Sequence, residues 1–219
     1  MSQRLILVVL GKQGAGKGTQ GARLAQAHDI PHISTGEILR AAVAAGTPLG
    51  QQVASVLEAG VLVSDDLVIA LVSDRFCDPD AASGGLLDGF PRTLTQAEAL
   101  EAMLGDDGIK LCINLDVPID LVTQRLSSRR VCQECGANYI DSDVEAISGT
   151  CSTCGGDVVQ RADDYPDAIR KRLETYERDT EPLLDFYESR GLLETVDGSQ
   201  GPDDVTNAIE AVLHERGLA

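Results

Sequence analysis

The chain has 219 residues, of which 43% are hydrophobic and 24% are charged, and its formal net charge is −17. This length and composition allow a full hydrophobic core, so no disordered class is needed to explain them. The acidic balance argues against a nucleic-acid-binding surface, because such surfaces gain affinity by neutralising phosphates with Lys and Arg.

The N-terminus predicts a cytoplasmic protein with no membrane contact. Its apolar run, Leu5–Leu10, is far too short to span a bilayer, and it lacks the cleavage region of a secretory signal. In a reducing compartment, the six cysteines are better explained as metal ligands or buried thiols than as disulfides. Two of them, Cys77 and Cys112, have apolar neighbours in the sequence and are expected to be inert core residues.

The first predicted elements are a strand, a loop and a helix. Residues 5–10 form a continuous apolar run typical of a buried strand. Residues 19–28 contain few helix breakers apart from Gly21, so we expect a helix there. A glycine-rich turn connects the two elements.

Further strands and helices alternate along the chain. The strands are expected at residues 85–89, 111–117 and 192–196, and the helices at residues 65–76, 95–104 and 202–216. This alternation predicts an α/β fold whose sheet is mainly parallel.

Two segments do not follow the alternation and are interpreted as insertions. Residues 34–63 have a helical pattern broken at Thr47 and Pro48, whereas residues 129–164 are rich in Gly, Cys and Asp and have no helical period. The core is therefore expected to comprise residues 1–33, 64–128 and 165–219.

The turn after the first strand has the character of a phosphate-binding loop. It reads GKQGAGKGT over residues 11–19, and its glycines allow backbone N–H groups to converge on phosphate oxygens at a helix N-terminus. Lys17 is expected to reach the β- and γ-phosphates, and Thr19 to lie near Mg²⁺. Gly18 departs from the general pattern, in which Ser or Thr follows the Lys directly. The alternative is a glycine-rich turn that arose by chance.

Four cysteines form two CxxC pairs. Cys132 pairs with Cys135 and Cys151 with Cys154, and residues 136–150 separate the pairs. This spacing suits one tetrahedral Zn²⁺ held by two turns. Sulfur fills every ligand position, which leaves none open for catalysis and predicts a structural ion. A redox-active CxxC pair is the competing interpretation.

Several motifs occur in the order typical of one enzyme family. They are AGKGTQ at residues 15–20, STGEILR at 34–40, DGFPR at 88–92, Gln96, Arg125, Arg129 with Arg130, QRADD at 160–164 and RKR at 170–172. With these motifs the chain resembles the adenylate kinase family of P-loop nucleoside monophosphate (NMP) kinases, in its zinc-containing, long-lid bacterial form. Gln13 departs from the family pattern, which has Pro at that position.

The resemblance implies a fold and a reaction. The fold is a three-layer α/β/α P-loop core with a mainly parallel sheet, a helical NMP-binding insertion at residues 34–63 and a zinc-containing lid at residues 129–164. The reaction is the reversible, Mg²⁺-dependent conversion of ATP and AMP into two ADP, which serves adenine nucleotide homeostasis. The partners are then ATP, AMP and ADP, Zn²⁺ is structural, Mg²⁺ accompanies ATP, and the chain is expected to act as a monomer.

The resemblance also implies site residues. The ATP contacts are Gly14, Ala15, Gly16, Lys17, Gly18, Thr19, Arg125, Arg129, Asn138, Tyr139 and Gln200. The AMP contacts are Thr35, Arg40, Val61, Leu62, Val63, Gly89, Phe90, Pro91, Arg92, Gln96, Arg161 and Arg172. The implied catalytic residues are Lys17, Arg92, Arg125, Arg161 and Arg172. Asp88 is the implied outer-sphere partner of Mg²⁺, and Asp163 and Asp164 are expected to help fasten the closed lid.

Three other functions remain open from the sequence. The first is a kinase for another monophosphate, such as GMP, UMP or CMP. The second is a zinc-ribbon module that binds nucleic acid and uses ATP as a switch, although residues 129–164 carry many acids. The third is a P-loop ATPase or GTPase motor, in which Asp88 would hold Mg²⁺, but residues 89–92 fit an acceptor nucleotide better. Each arginine, taken alone, could also be a surface cation paired weakly with a carboxylate.

Overall fold

A parallel five-stranded sheet forms the centre of the computed structural model, which describes residues 4–218. Its strand order is β2-β3-β1-β4-β8. The strands are β1 (Leu5–Leu10), β2 (His32–Ser34), β3 (Gly84–Asp88), β4 (Leu111–Asp116), β5 (Arg129–Cys132), β6 (Asn138–Ile140), β7 (Val158–Val159) and β8 (Leu193–Asp197). The ends of the predicted core, residues 1–3 and 219, lie outside the described residues.

Helices cover both faces of this sheet. They are α1 (Lys17–Ala27), α2 (Thr35–Ala44), α3 (Pro48–Glu58), α4 (Asp65–Arg75), α5 (Leu94–Leu104), α6 (Ile119–Ser128), α8 (Pro166–Thr175), α9 (Pro182–Glu188) and α10 (Pro202–Glu215), while the short helix α7 (Val144–Ser148) lies apart from this sheet. All the strands predicted from the sequence are present, and the helices predicted at residues 19–28, 65–76, 95–104 and 202–216 are α1, α4, α5 and α10. The predicted α/β fold with a mainly parallel sheet is confirmed.

Strand β1 explains why the apolar run at the N-terminus has no alternation. Side chains of successive strand residues point to opposite faces, so Leu7 and Val9 join one hydrophobic core while Ile6 and Val8 join the other. The first core includes residues of α1, α6, α8 and α10, and the second includes residues of α2, α3, α4, α5 and α9. Because helices bury both faces of the sheet, apolar side chains are favoured on both faces of this strand.

The structure contains one core strand that the sequence did not predict. Strand β2 is only three residues long and pairs with β3, with His32 opposite Leu86 and Ser34 opposite Asp88. Its one aliphatic residue, Ile33, is fully buried. This pairing places the start of α2 beside the carboxyl end of β3.

Residues 129–164 contain a second, antiparallel sheet, in the order β6-β5-β7. The segment also contains the short helix α7, although its sequence shows no helical period. A single turn and a half of helix is too short for a hydrophobic stripe to repeat, which explains why this helix was not predicted.

The two isolated cysteines differ in their environment. Cys112 lies in β4 and is fully buried, as expected from its apolar neighbours. The same expectation is wrong for Cys77, which follows α4 and is exposed. Its apolar neighbour Phe76 ends the helix, and the chain then turns outward through Asp78 and Pro79. No helix within residues 4–218 is both long enough and apolar enough to cross a bilayer.

Candidate active site

The glycine-rich turn connects β1 to α1 at the carboxyl edge of the sheet. Gly16 has a φ of 103°, in the left-handed region that glycine adopts without strain, and α1 begins at the next residue. The backbone N–H groups of this first helical turn have no partner within the helix and are free to bind an anion. The loop therefore has the geometry of a phosphate cradle.

Lys17 is a buried amine in this loop. Its Nζ donates hydrogen bonds to the carbonyl oxygens of Gly11 at 2.6 Å and Lys12 at 2.9 Å. Burial lowers the pKa of Lys17 to about 8, although the nearby Asp88 carboxylate opposes this shift. A buried ammonium group whose charge is only partly compensated is suited to a polyanionic ligand.

Asp88 ends β3 beside this lysine. Its Oδ2 lies 3.5 Å from Ser34 Oγ and 3.6 Å from His32 Nε2. Burial alone would raise the pKa of Asp88, but the neighbouring His32 and the charge of Lys17 outweigh burial and hold the pKa below its ordinary value. The carboxylate is therefore ionised at neutral pH and can accept hydrogen bonds from the water shell of a cation.

Four arginines from different elements converge on the same region. Arg40 comes from α2, Arg92 from the loop after β3, Arg161 from the end of the cysteine-bearing segment and Arg172 from α8. Burial lowers the pKa of each guanidinium group, and for Arg92 and Arg161 the neighbouring guanidinium groups lower it further. Cations brought this close together repel one another. A phosphate group bound between them would relieve this repulsion, so the site favours phosphate.

Two carboxylates hold part of this cluster in place. Asp164 is fully buried, binds Arg129 with its Oδ1 2.6 Å from Nη2, and lies 3.1 Å from Nη1 of Arg172. Asp163 contributes a second ion pair to Arg172 at 3.1 Å. Arg129 and Asp164 are the two ends of the segment 129–164, and Arg172 lies in α8 of the core. Asp164 therefore binds the two ends to each other and to the core.

A large cavity, of about 580 Å³, opens in front of the glycine-rich turn. All residues expected to contact ATP line it, as do all five expected catalytic residues and Asp88. Arg125 is held toward the loop after β8, because its Nη1 and Nη2 donate to the carbonyl oxygens of Gly198 and Ser199 at 3.0 and 3.2 Å. Tyr139 and Gln200 approach the same cavity from β6 and from that loop.

A smaller cavity of about 60 Å³ lies between α2, α3 and the loop after β3. Most residues expected to contact AMP line it: Thr35, Arg40, Val61, Leu62, Val63, Gly89, Arg92, Gln96 and Arg172. Arg161 lines the larger cavity instead. Phe90 and Pro91 are not brought to either cavity, because both are buried and Phe90 packs in the hydrophobic core.

The two cavities meet at shared residues. Gln13, Gly36, Arg40, Arg92 and Arg172 line both of them. Two elongated ligands could therefore meet end to end between the cavities, with positive side chains around their junction.

The structure adds residues that the sequence did not single out. Thr175 lines the smaller cavity, and a π-helical turn, Tyr176–Thr180, follows it directly. Thr180 donates to the carbonyl oxygen of Arg92 at 2.9 Å, which fixes the backbone of that arginine. No periodicity or motif marks these threonines. Glu37, which lines the larger cavity, lies within the STGEILR motif, so that motif was the signal available for it.

The four clustered cysteines converge in the small sheet. Their sulfur atoms all lie within 4.8 Å of one another, with Cys132 to Cys154 at 3.4 Å and Cys135 to Cys151 at 3.5 Å. Tetrahedral zinc with Zn–S bonds of about 2.3 Å requires S···S separations of about 3.8 Å. The donor set and its spacing therefore fit one thiophilic metal ion. Tyr139 connects this cluster to the larger cavity, since its hydroxyl lies 3.1 Å from Cys151 Sγ.

Comparison with known proteins identifies close relatives. A family model described as adenylate kinase matches residues 9–192. The adenylate kinase of Thermodesulfovibrio yellowstonii is 46% identical over 213 residues, covering 96% of this chain and 99% of the relative. That of Moorella thermoacetica is 48% identical, covering 94% and 97%. That of Rhizobium rhizogenes is 46% identical, covering 94% and 98%.

Proposed function

This chain belongs to the adenylate kinase family, and from that premise we propose that it transfers a phosphoryl group reversibly from Mg²⁺-ATP to AMP, giving two ADP. It is a phosphotransferase of the nucleoside monophosphate kinase class. The observation that carries the proposal is the junction of the two cavities, because a kinase of this kind must hold two nucleotides with their phosphates in line.

The larger cavity is the proposed donor site. Residues 14–19 surround the ATP phosphates with backbone N–H groups, and Lys17 binds the β- and γ-phosphates. Arg125 and Arg129 contact the phosphates from the opposite side, while Asn138, Tyr139 and Gln200 contact the adenosine. Their common lining of one cavity beside the glycine-rich turn supports this assignment.

The smaller cavity is the proposed acceptor site. Thr35 and Gln96 contact the base and ribose of AMP, together with the backbone of residues 61–63. Arg40 and Arg92 bind its phosphate, and the backbone of Gly89 borders the site. Val61 contributes mainly backbone contacts, because its side chain is 41% exposed. Phe90 supports the site from the core.

Transfer requires alignment and neutralisation of charge more than covalent help from the protein. Arg92 and Arg172 lie at the junction and Arg161 lines the larger cavity, and all three stabilise the negative charge of the moving phosphoryl group. Bound Mg²⁺ would supply neutralising charge at the ATP phosphates. Thr19 and the ionised Asp88, which line the same cavity, would hold its water shell.

The two insertions have distinct proposed roles. Residues 34–63 bind the monophosphate, and residues 129–164 form a lid over ATP that excludes water. The cysteine cluster holds a structural Zn²⁺ that shapes this lid and takes no part in the reaction, since four sulfur ligands leave no open position. The chain acts as a cytoplasmic monomer.

The proposal is tested by measuring ADP formation from ATP with AMP, GMP, UMP or CMP as acceptor, with and without Mg²⁺. We expect AMP to give the highest kcat/KM and omission of Mg²⁺ to abolish turnover. A higher kcat/KM with another monophosphate would assign the chain to that substrate instead. Hydrolysis of ATP without any acceptor, or retention of DNA or RNA at moderate salt, would favour the motor or the nucleic-acid switch.

Replacing Lys17 or Arg92 with Met should lower kcat by two to three orders of magnitude or more, because both act on phosphate charge in the transition state. The fold should persist, as checked by circular dichroism. Arg170→Met is the matched control: Arg170 is largely exposed on α8, pairs with the exposed Asp167, and lines neither of the two cavities described above. Near-normal turnover in the Lys17 or Arg92 variant would contradict their assignment.

A further inference from the structure

The side-chain amide of Gln96 is held by two partners. Gln96 lies in the first turn of α5, is 2% exposed and lines the smaller cavity. Its Oε1 accepts a hydrogen bond from the backbone N–H of Arg92 at 2.8 Å, and its Nε2 donates one to Asp65 Oδ1 at 2.8 Å. Both ends of the amide are therefore engaged before any ligand binds.

These two partners permit only one orientation of the amide. A backbone N–H can only donate, and an ionised carboxylate can only accept. Rotating the amide by 180° would place the Gln96 NH₂ group against the Arg92 N–H and its carbonyl oxygen against the Asp65 carboxylate. Each partner disfavours the flipped state, so the two together fix which atom is oxygen and which is nitrogen.

The fixed amide still has one donor and one acceptor to offer. One Nε2 hydrogen and one Oε1 lone pair remain after the two internal bonds. The edge of adenine carries an N6 donor beside the N1 acceptor, which matches this pair. Guanine and hypoxanthine carry the opposite arrangement, an O6 acceptor beside an N1–H donor. A 6-oxopurine could pair equally well only with the flipped amide.

Asp65 acts at a distance from the ligand. It is the first residue of α4, it is only partly exposed, and it lines neither cavity. Its neighbour Asp66 belongs to the same helical turn but is exposed. Its hydrogen bond to Gln96 is the contact through which Asp65 can act on the base.

We propose that Asp65 is a positioning residue for base specificity: it locks the Gln96 amide in the orientation that accepts adenine and rejects 6-oxopurines. This inference rests on the proposed acceptor site. It assigns the discrimination to a carboxylate in another helix that never contacts the nucleotide.

The test compares AMP with IMP, the 6-oxopurine that lacks the guanine 2-amino group, as acceptors for the wild type and for Asp65→Asn. Asparagine keeps the shape of aspartate but can donate, so one of the two locks on Gln96 is lost. We expect the AMP/IMP ratio of kcat/KM to fall about tenfold, mostly through a higher KM for AMP and a lower KM for IMP. Asp66→Asn, which removes the same charge from the same turn, should leave the ratio unchanged.

A second variant separates positioning from general damage. In a Gln96→Ala background, Asp65→Asn should have no further effect on the ratio, because the group that Asp65 orients is gone. If Asp65→Asn does not fold, Asp65→Ser supplies a smaller side chain that can also donate, and the same ratio is measured.

Several results would overturn the inference. An unchanged ratio in Asp65→Asn, an equal loss with both acceptors, or a wild type that uses IMP as well as AMP would each do so. Failure of the proposed function has a different signature, since the wild type would then not phosphorylate AMP at all.

Discussion

The surroundings of Lys17 decide both the position of its amine and the pH range in which the amine is charged. Its ammonium group is buried against the carbonyl oxygens of Gly11 and Lys12, and its pKa is lowered to about 8. In the free enzyme the side chain is therefore mostly charged at pH 7 and loses its proton as the pH rises through 8. Only the charged form attracts the phosphates of ATP.

The resulting pH dependence can be measured. Because kcat/KM reports the ionisation of the free enzyme, kcat/KM for ATP should begin to fall above about pH 7, be halved near pH 8, and approach a tenfold fall per pH unit above about pH 9. In Lys17→Arg the cation at position 17 does not titrate in this range, so its lower activity should show no such decline between pH 7 and 8.5, below the range in which Arg161 begins to lose its proton. The same slope in both proteins would exclude Lys17 as the titrating group.

At the scale of single residues, the sequence predicted which charged side chains line the site, but it did not predict the neighbours that each of them contacts. Motifs predicted Lys17 and the arginines that line the cavities, whereas the contact between Asp65 and Gln96 joins residues 31 positions apart and has no local signal. Gly21 appeared only as a helix breaker. A Cβ at this position would lie 2.5 Å from His32 Nε2, so glycine makes room for the imidazole beside Asp88.

At the scale of elements, length decided what could be predicted. Strand β1 and the longer helices bury continuous or periodic apolar sets, which are visible in the sequence. Strand β2 and helix α7 have three and five residues, too few for a period to emerge. The π-helical turn between α8 and α9 depends on tertiary contacts such as that of Thr180 with Arg92, which a local pattern does not encode.

The small antiparallel sheet has little apolar core of its own. Its buried cluster consists of Cys132, Cys151 and Val158, with a few partly buried neighbours. So small a core supplies little stability, and metal ligation is expected to contribute much of the folding free energy of this segment.

Removing the metal should therefore lower the melting temperature more than it changes the chemical step. The measurement combines metal content, calorimetry and kcat at a temperature below unfolding, before and after chelation. Cys151→Ser should lose metal and melt early, whereas Cys77→Ser, at an exposed cysteine outside the cluster, should do neither. A metal-free wild type that melts at the unchanged temperature would refute this role.

At the scale of the whole molecule, the sheet brings every part of the site to one edge. The turn after β1, Asp88 at the end of β3 and the loop after β8 all lie at the carboxyl ends of parallel strands, which is where ligands bind in open α/β folds. The two segments between these strands then supply arginines from opposite sides. This global arrangement followed from the strand–helix alternation and could be predicted, but the point at which the cavities meet could not.

The joined cavities predict how a double ligand binds. Two adenosines tethered by a pentaphosphate should bind with a stoichiometry of one by calorimetry, and both ATP and AMP should displace the ligand. At equal concentration it should raise the melting temperature more than either nucleotide alone, since one ligand makes both sets of contacts. Two tethered ligands per chain, or displacement by only one nucleotide, would contradict a continuous site.

The ion pair between Arg129 and Asp164 has a consequence for how such a chain can diversify. These residues are the first and the last of the cysteine-bearing segment, and their side chains bind each other at 2.6 Å. Both ends of the segment are thus held together where it leaves and rejoins the core, and Arg172 of α8 binds the same end through Asp163 and Asp164. The length of the segment and its means of stabilisation can change, with metal or without, while the path of the chain on either side stays the same.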